Sequence, residues 1–305
     1  MAGWSESELI RNISEIFAEA NSDLIVGIGD DAAVVSRPET NVVITTDMAV
    51  EDVHFKLAWS SAFEIGRKIA AANLADIYAM GGAPKYLTVA MAATGNESLE
   101  WMLDIARGIA HESHIAGAQV IGGDLSRSEK IVISITAIGE CQKPILRSGA
   151  LIGDKIYIST LPGWSAAGLA ALSQNKNGET FNFAISEHKA PSVDYENATK
   201  LLGATSLCDV SDSLMIQGSQ MAEASGVEFE IDGELFKSHP DFVELDEIAK
   251  ALNISVFDLI LSGGEDHIFL ATGNDLPAHC IGQVREGSGI RLLHVEPPKS
   301  GWQHF

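Results

Sequence analysis

The sequence predicts a mixed α/β protein built as two domains, and three observations carry that expectation. A chain of 305 residues with 46% hydrophobic residues has the length for one large or two ordinary domains and the apolar content for real cores. Its first half alternates helix-periodic segments with β-branched runs, the helices long enough to cover one face of a sheet. Near residues 141–154 the character changes. Pro144, Gly149, Gly153 and three charged residues separate two strand-like runs there, which divides the chain into an N-terminal domain, residues 1–142, and a C-terminal domain, residues 143–305.

Each element follows from local chemistry. Ser5-Glu6-Ser7-Glu8 is a capping box ahead of apolar residues at 9, 10, 13, 16 and 17, the spacing of a helix. The turn Gly27-Ile28-Gly29-Asp30-Asp31 leads into a strand-like run that Pro38 breaks. Val42–Thr46 reads as a strand ending at Asp47, and Ser61-x-x-Glu64 caps a helix that runs to about Met80. Tyr86–Ala92 reads as a strand, Leu99–Ala116 as a helix, and Gln119–Ile121 as a short strand entering Gly122-Gly123-Asp124; Ile131–Glu140 is another strand. The second half begins with strand Lys155–Thr160 and the small-residue helix Ser165–Leu172, followed by a polar, loop-rich stretch over 174–194. Strand Ser206–Val210, helix Asp212–Ala224, strand Val227–Ile231, a helix near Leu245–Leu252 and strand His267–Thr272 complete the series. No repeat occurs at a solenoid period.

Charge and cysteine usage narrow the function. With 42 acidic and 20 basic residues the formal net charge is −22, which argues against a nucleic-acid or anionic-membrane partner, since both need stripes of Lys and Arg. Nucleotides stay compatible, because acidic sites hold them through divalent metal. Cys141, Cys208 and Cys280 lie far apart without a CxxC motif and read as small hydrophobes in a reducing compartment. Glu6 and Glu8 stand where a signal peptide carries basic residues, and the apolar stretch Ile65–Met80 is interrupted by Arg67, Lys68, Asn73 and Asp76. A cytoplasmic protein is expected.

Acidic residues recur beside Gly, Ser or Thr at the ends of apolar strands: Gly29-Asp30-Asp31, Thr45-Thr46-Asp47, Gly122-Gly123-Asp124, Asp209-Val210-Ser211-Asp212 and Gly264-Glu265-Asp266. Asp76 adds a carboxylate within the apolar helix face Ala70–Met80. Unpaired carboxylates are costly to bury, and few basic residues lie near these motifs in sequence, so divalent metal is the economical partner. Any one of the motifs is more simply a cap or a turn, and Asp212 stands where it would cap the helix it opens. The recurrence of all five shifts the balance toward ligands. Gly27-Ile28-Gly29-Asp30-Asp31-Ala32 also matches a dinucleotide fingerprint, but that motif requires a helix where this chain has a strand, and two carboxylates would repel a pyrophosphate. The Walker and protein-kinase motifs are absent. His111 and His114 lack a third zinc ligand at a suitable spacing. By position alone, His54 reads as a loop histidine and Trp302 as a core aromatic.

Taken in order, GIGDDAAV (27–34), TTDMAVEDVHF (45–55), NLADIYAMGGAP (73–84), IGGDLSRS (121–128), LRSGA (146–150), DVSDSL (209–214), SGGEDH (262–267) and the ending GWQHF are similar, almost end to end, to the thiamine-monophosphate kinase family. That family belongs to a superfamily with aminoimidazole ribonucleotide synthetase, selenophosphate synthetase and a hydrogenase-maturation ATPase. The resemblance implies ATP- and Mg²⁺-dependent conversion of thiamine monophosphate to thiamine diphosphate. It implies a homodimer formed through the N-terminal sheet, and a C-terminal domain closing over the active-site cleft. By motif it implies metal ligands at Asp30, Asp31, Thr45, Thr46, Asp47, Asp76, Asp124, Asp209 and Asp212, with Asp47, Asp124 and Arg147 central to catalysis. ATP contacts fall to Gly123, Asp124, Arg147 and Ser211, and substrate contacts to His54, Glu265 and Trp302.

Three positions depart from the family pattern. Ser213 replaces a usual Gly, which implies an ordinary backbone dihedral there; His267 replaces a usual Tyr; and Glu51-Asp52 replaces Glu-Gly. The implied nucleophile is a phosphate oxygen with a second pKa of about 6, so no strong general base is needed and direct in-line transfer is expected. Among the siblings, selenophosphate synthetase would carry an early reactive cysteine, whereas the first here is Cys141, and Cys280 is too far from the end for a hydrogenase-maturation tail. The His54 segment and GWQHF point away from aminoimidazole ribonucleotide synthetase. A non-catalytic metal- or nucleotide-binding regulator is the reading from another class.

Overall fold

The computed structural model describes residues 24–26, 30–37 and 39–298. The helix expected after Ser5, Gly27 to Gly29 of the first turn, and Trp302 lie outside the described residues. The first half contains β1 (Leu24–Val26), β2 (Ala33–Val35), β3 (Asn41–Val50), α1 (Ala62–Ala79), β4 (Ala83–Ala93), α2 (Leu99–Ile115), β5 (Gln119–Arg127) and β6 (Val132–Cys141). Its sheet runs β1-β2-β3-β6-β4-β5, antiparallel except for the edge pair β4–β5. After a 3₁₀ turn at Arg147–Gly149 come β7 (Lys155–Ile158), α3 (Trp164–Ser173), α4 (Glu179–Lys189), α5 (Tyr195–Lys200), β8 (Ser206–Val210), α6 (Leu214–Ser225) and β9 (Glu228–Asp232). The chain continues through α7 (Gly233–Phe236), α8 (Phe242–Leu252), α9 (Val256–Ser262), β10 (Ile268–Gly273), β11 (His279–Arg285) and β12 (Gly289–Leu293). The second sheet is β12-β9-β11-β7-β10-β8, and only β12–β9 is parallel. The mixed α/β class expected from the sequence is the one observed.

Three local expectations change. Asp47 does not end a strand: β3 continues to Val50 because β6 pairs with it over that whole length. Gly122-Gly123-Asp124 is likewise held inside β5 by pairing with β4, so the partner strand overrides the poor strand propensity of Gly-Gly-Asp. The polar stretch 174–194 contains helix α4, which buries only Phe181, Ala184 and His188, a stripe too thin to stand out among polar neighbours.

The two halves share an apolar contact. Leu207 of β8 and Phe269 and Ala271 of β10 pack into the core of the first half, whereas Cys208, Val210, Ile268 and Leu270 pack into the second. Both faces of these strands are therefore covered, which explains their near-continuous apolar sequence. All three cysteines are free thiols, and Cys141 and Cys208 are buried.

Helix α1 is the central element between the halves. It starts at a complete capping box, Ser61 with Glu64. It also crosses α2 at two glycines: a Cβ on Gly66 would lie 2.2 Å from the Ile105 carbonyl oxygen, and one on Gly108 would lie 2.1 Å from that of Phe63. Buried Glu112 of α2 accepts from Arg67 Nε at 2.9 Å and from Tyr195 OH at 2.9 Å, which joins α1, α2 and α5. Helix propensity favours alanine over glycine by about 1 kcal/mol, but forcing the backbones apart costs about 1–3 kcal/mol and more when carbonyls are the obstacle. Gly108→Ala is therefore expected to lower stability by about 2 kcal/mol, read as a lower urea midpoint; a raised midpoint would show that the helices separate freely.

Candidate active site

Three carboxylates from distant parts of the chain converge. Asp31 precedes β2, Asp76 lies in the last turn of α1 and Asp209 lies in β8, yet one oxygen of each falls within 4.8 Å of the others. Asp31 and Asp209 are buried. Thr45 Oγ1 donates to Asp76 Oδ2 at 2.7 Å. Asp47 shares the inner face of β3 with Thr45. Its position is set by a side chain: β2 stops opposite Ile44, and the Asp47 N–H beyond that point donates to Asn73 Oδ1 at 2.9 Å. Asn73 is fully buried, and its Nδ2 donates to the Ile69 carbonyl, so the strand N–H finds a partner where the ladder ends.

Positive charge at the cluster falls short of the negative. Arg147 makes a forked pair with Asp31, Nη2 to Oδ1 at 2.6 Å and Nε to Oδ2 at 3.2 Å. Its backbone N–H donates to Asp30 Oδ2 at 3.2 Å, and its Nη1 donates to Gln220 Oε1 at 2.7 Å. Even so, burial pushes the Asp31 carboxyl up to about 8, outweighing Arg147, and Asp209 and Asp30 push in the same direction. Burial, followed by Asp47, Asp209 and Asp31, drives Asp76 well above the usual carboxylate range. One guanidinium does not balance this set. A donor set of carboxylate oxygens and a threonine hydroxyl fits a hard divalent cation such as Mg²⁺ and offers nothing soft for zinc or copper.

The acids border a cleft of about 730 Å³ whose walls come from both halves. The α1 wall presents Ile65, Lys68, Ile69, Ala72 and Asp76, spaced as one helical stripe. The facing wall includes Ser211, Asp212, Gly264, Glu265 and His267. The segment around Glu265 is clamped to the end of β8: Glu265 N–H donates to the Ser211 carbonyl at 2.6 Å and His267 N–H to the Val210 carbonyl at 3.1 Å. A Cβ on Gly264 would sit 2.3 Å from the Asp212 carbonyl oxygen, so this close approach requires glycine. Glu265 and His267 adopt left-handed φ values of 63° and 50°. His267 Nδ1 lies 3.0 Å from Asp209 Oδ2, and although burial opposes it, this contact raises the imidazole pKa above its ordinary value. His54 Nδ1 accepts the Val50 N–H at 3.0 Å, which leaves Nε2 as the protonated nitrogen of the neutral ring. Trp59 also lines the cleft, with Lys56 Nζ 4.3 Å from its ring centre.

The structure brings together Asp30, Asp31, Thr45, Asp47, Asp76, Asp209 and Arg147, and it places Ser211, Asp212, His54 and Glu265 on the cleft. Thr46 points to the other face of the sheet, where its Oγ1 accepts from Thr136 and donates to the Ile135 carbonyl. Asp124 sits on the edge strand in one row with Ala90, Ser134 and Met48, the face opposite Asp47. Gly123 shares the row of Asp47 but lies three strands away, about 14 Å. Ser213, not Asp212, caps α6: its hydroxyl accepts the Ile216 N–H and its backbone is extended at φ −176°, an ordinary dihedral. Asp52 holds φ 65°, a conformation that explains why glycine serves at that position elsewhere and that aspartate tolerates. Sequence reading alone missed Lys68, Asn73, Trp59 and His188. The first two were within reach, as polar residues on the buried stripe of α1, whereas Trp59 and His188 carry no local signal.

Comparison with known proteins follows this geometry. The family described as AIR synthase related protein, N-terminal domain, matches residues 29–141. The thiamine-monophosphate kinase of Corynebacterium glutamicum is 36% identical over 322 residues, covering 98% of this chain and 93% of its own length. That of Mycobacterium tuberculosis is 36% identical over 292 residues, covering 92% and 86%. A solved structure described as AaThiL complexed with AMPPCP and TMP superposes with a TM-score of 0.88 at 29% identity, covering 99% of this chain and 97% of its own. Identity of this level across nearly the whole length shows that the chain belongs to the thiamine-monophosphate kinase family.

Proposed function

We propose that this protein transfers the γ-phosphoryl group of ATP to thiamine monophosphate, giving thiamine diphosphate, with Mg²⁺ held by its acidic cluster. The observation that carries this reading is the convergence of Asp31, Asp76 and Asp209 beside a cleft shared by both halves. The family supports it, as does the likeness to a kinase structure that holds an ATP analogue and the monophosphate together. Residues 1–142 and 143–305 are the two domains of this reading.

The reaction joins two anions, so alignment and charge dominate its barrier. Asp31, Asp76 and Asp209, with Asp30, Asp47, Asp212 and Thr45 around them, are the oxygens that would hold Mg²⁺. When bound, the metal offsets phosphate charge and fixes the reacting groups in line. Arg147, anchored by Asp31, offers Nη groups to ATP phosphates, and Ser211 offers a second contact from the cleft wall. His54, Glu265 and, beyond the described residues, Trp302 take the thiamine portion. The attacking phosphate oxygen is already ionised, so transfer is direct and forms no phosphoenzyme. The same assignment includes a cytoplasmic homodimer; among the described residues no helix is long and apolar enough to cross a membrane. The outer face of the first sheet exposes Ile44, Met48 and Tyr86, Met48 being 56% exposed, an apolar surface suited to a second copy. Thr46 and Asp124 lie on that face, so a part for them in the metal site runs through the partner.

Incubation with ATP, thiamine monophosphate and Mg²⁺ is expected to yield thiamine diphosphate, with no product when thiamine replaces the monophosphate or EDTA removes the metal. Failure with ATP still bound would point to a related ATP-dependent enzyme with another substrate or to a regulator. Asp76→Asn is expected to cut turnover about 100-fold or more while raising metal-free stability by about 1–3 kcal/mol. The sign follows from the shifts. The carboxyls of Asp31 and Asp76 are raised in the fold, so their contribution is complete below the ordinary carboxylate range and is lost as pH rises through about 8, the value of Asp31. Thermal melts in EDTA are therefore expected to show the variant's advantage growing from pH 6 to pH 8.5, with Mg²⁺ stabilising the wild type most at the higher pH; the opposite trend would remove the electrostatic account. Met48→Asp is expected to halve the sedimenting mass, and a wild-type monomer would refute the dimer.

A further inference from the structure

We propose that Lys68 is a positioning residue for the substrate-facing carboxylate of Glu265, and that this ion pair across the cleft sets the affinity for thiamine monophosphate. The inference rests on the function proposed above. Lys68 lies on the α1 stripe that faces the cleft, 8% exposed, between the apolar side chains of Ile65, Ile69 and Ala72. The pair gains little over a hydrophobic side chain at Lys68, because desolvation of the buried ammonium offsets its attraction to a carboxylate that is 34% exposed and screened. Stability therefore does not account for lysine here.

The geometry does. Lys68 Nζ donates to Glu265 Oε2 at 2.9 Å and to the His188 carbonyl at 3.0 Å. The first bond joins residues 197 positions apart, one on each wall of the cleft. Glu265 leaves the backbone from a left-handed φ of 63°, pinned by its N–H on the Ser211 carbonyl, so the direction of its side chain is fixed at the root. Both nitrogen contacts fall on Oε2, Lys68 Nζ at 2.9 Å and His188 Nδ1 at 3.8 Å, which leaves Oε1 as an acceptor for a bound molecule. Burial, followed by Lys68, pushes the His188 ring down to about 4, so near neutral pH the lysine carries the positive charge against Glu265. Against the opposing effect of burial, Lys68 leads the groups that keep Glu265 ionised. The thiamine skeleton presents a thiazolium cation and an amino-pyrimidine, and an ionised carboxylate oxygen held in one orientation is the partner each of them takes.

The test is a kinetic cycle on the full-length protein with Lys68→Met, Lys68→Arg, Glu265→Gln and the Lys68→Met/Glu265→Gln double variant. Lys68→Met is expected to raise the KM for thiamine monophosphate about tenfold or more while leaving the KM for ATP within about twofold. Lys68→Arg is expected to restore most of the loss, and the double variant to be no worse than Glu265→Gln alone, because Lys68 acts through Glu265. Should the Met variant not fold, Lys68→Gln, which keeps a donor without the charge, enters the same cycle. An unchanged KM for thiamine monophosphate, an equal rise in both KM values, or additive effects in the double variant would overturn the proposal. A wild type that makes no thiamine diphosphate would sink the functional reading and this inference together, whereas an active wild type with an indifferent Lys68→Met would sink this inference alone.

Discussion

Like charges held close together in a dry place need an opposite charge, and much of this structure is arranged around that requirement at Asp31, Asp76 and Asp209. Each comes from a different element, so the cluster exists only when α1, β8 and the segment before β2 are packed together. Arg147 answers part of the need through its forked contact with Asp31. The remainder appears as carboxyls driven up by burial and by one another. A fold that concentrates this much unbalanced acidity is not optimised for its own stability, and a divalent cation is the charge that would balance it.

The architecture makes the concentration possible. The apolar faces of β8 and β10 are divided between two cores, so the halves meet through hydrophobic contact and their polar edges are left to form the cleft. Helix α1 serves both purposes. Its glycine crossing with α2 fixes its depth, and the same helix carries Asn73, Asp76 and Lys68 toward β3, the acids and Glu265. Lys68 and Asp76 are thus displayed to the cleft from one rigid element. The segment from Gly263 to His267 mirrors this on the other wall. Its clamped backbone turns Glu265 toward Lys68 across the cleft and His267 toward Asp209.

The strongly periodic elements were legible in the sequence. The capping box at Ser61 and Glu64, the β-branched run in β3 and the buried run of β8 each point to what is observed. So did the family, through an ordered set of short motifs. The thin helix α4 and the continuation of β3 and β5 through polar residues were not legible. Pairing with neighbouring strands and burial against a second core decide those features, and neither is a local property of the chain.

For the site, the sequence by itself determined the candidates: the acids, the arginine, the histidine and the glutamate, with the expectation of a divalent cation for carboxylates beside small residues. Only the tertiary structure decided which of them meet. Alternation along β3 sends Thr45 and Asp47 inward and Thr46 outward, and strand register sends Asp124 to the opposite face. Lys68, an interruption of an apolar stretch when read along the chain, becomes a partner of Glu265 because helix packing brings together residues 197 positions apart. The physical reason is the same in each case. Chemical identity belongs to the residue, whereas proximity belongs to the packing of elements that are remote in sequence.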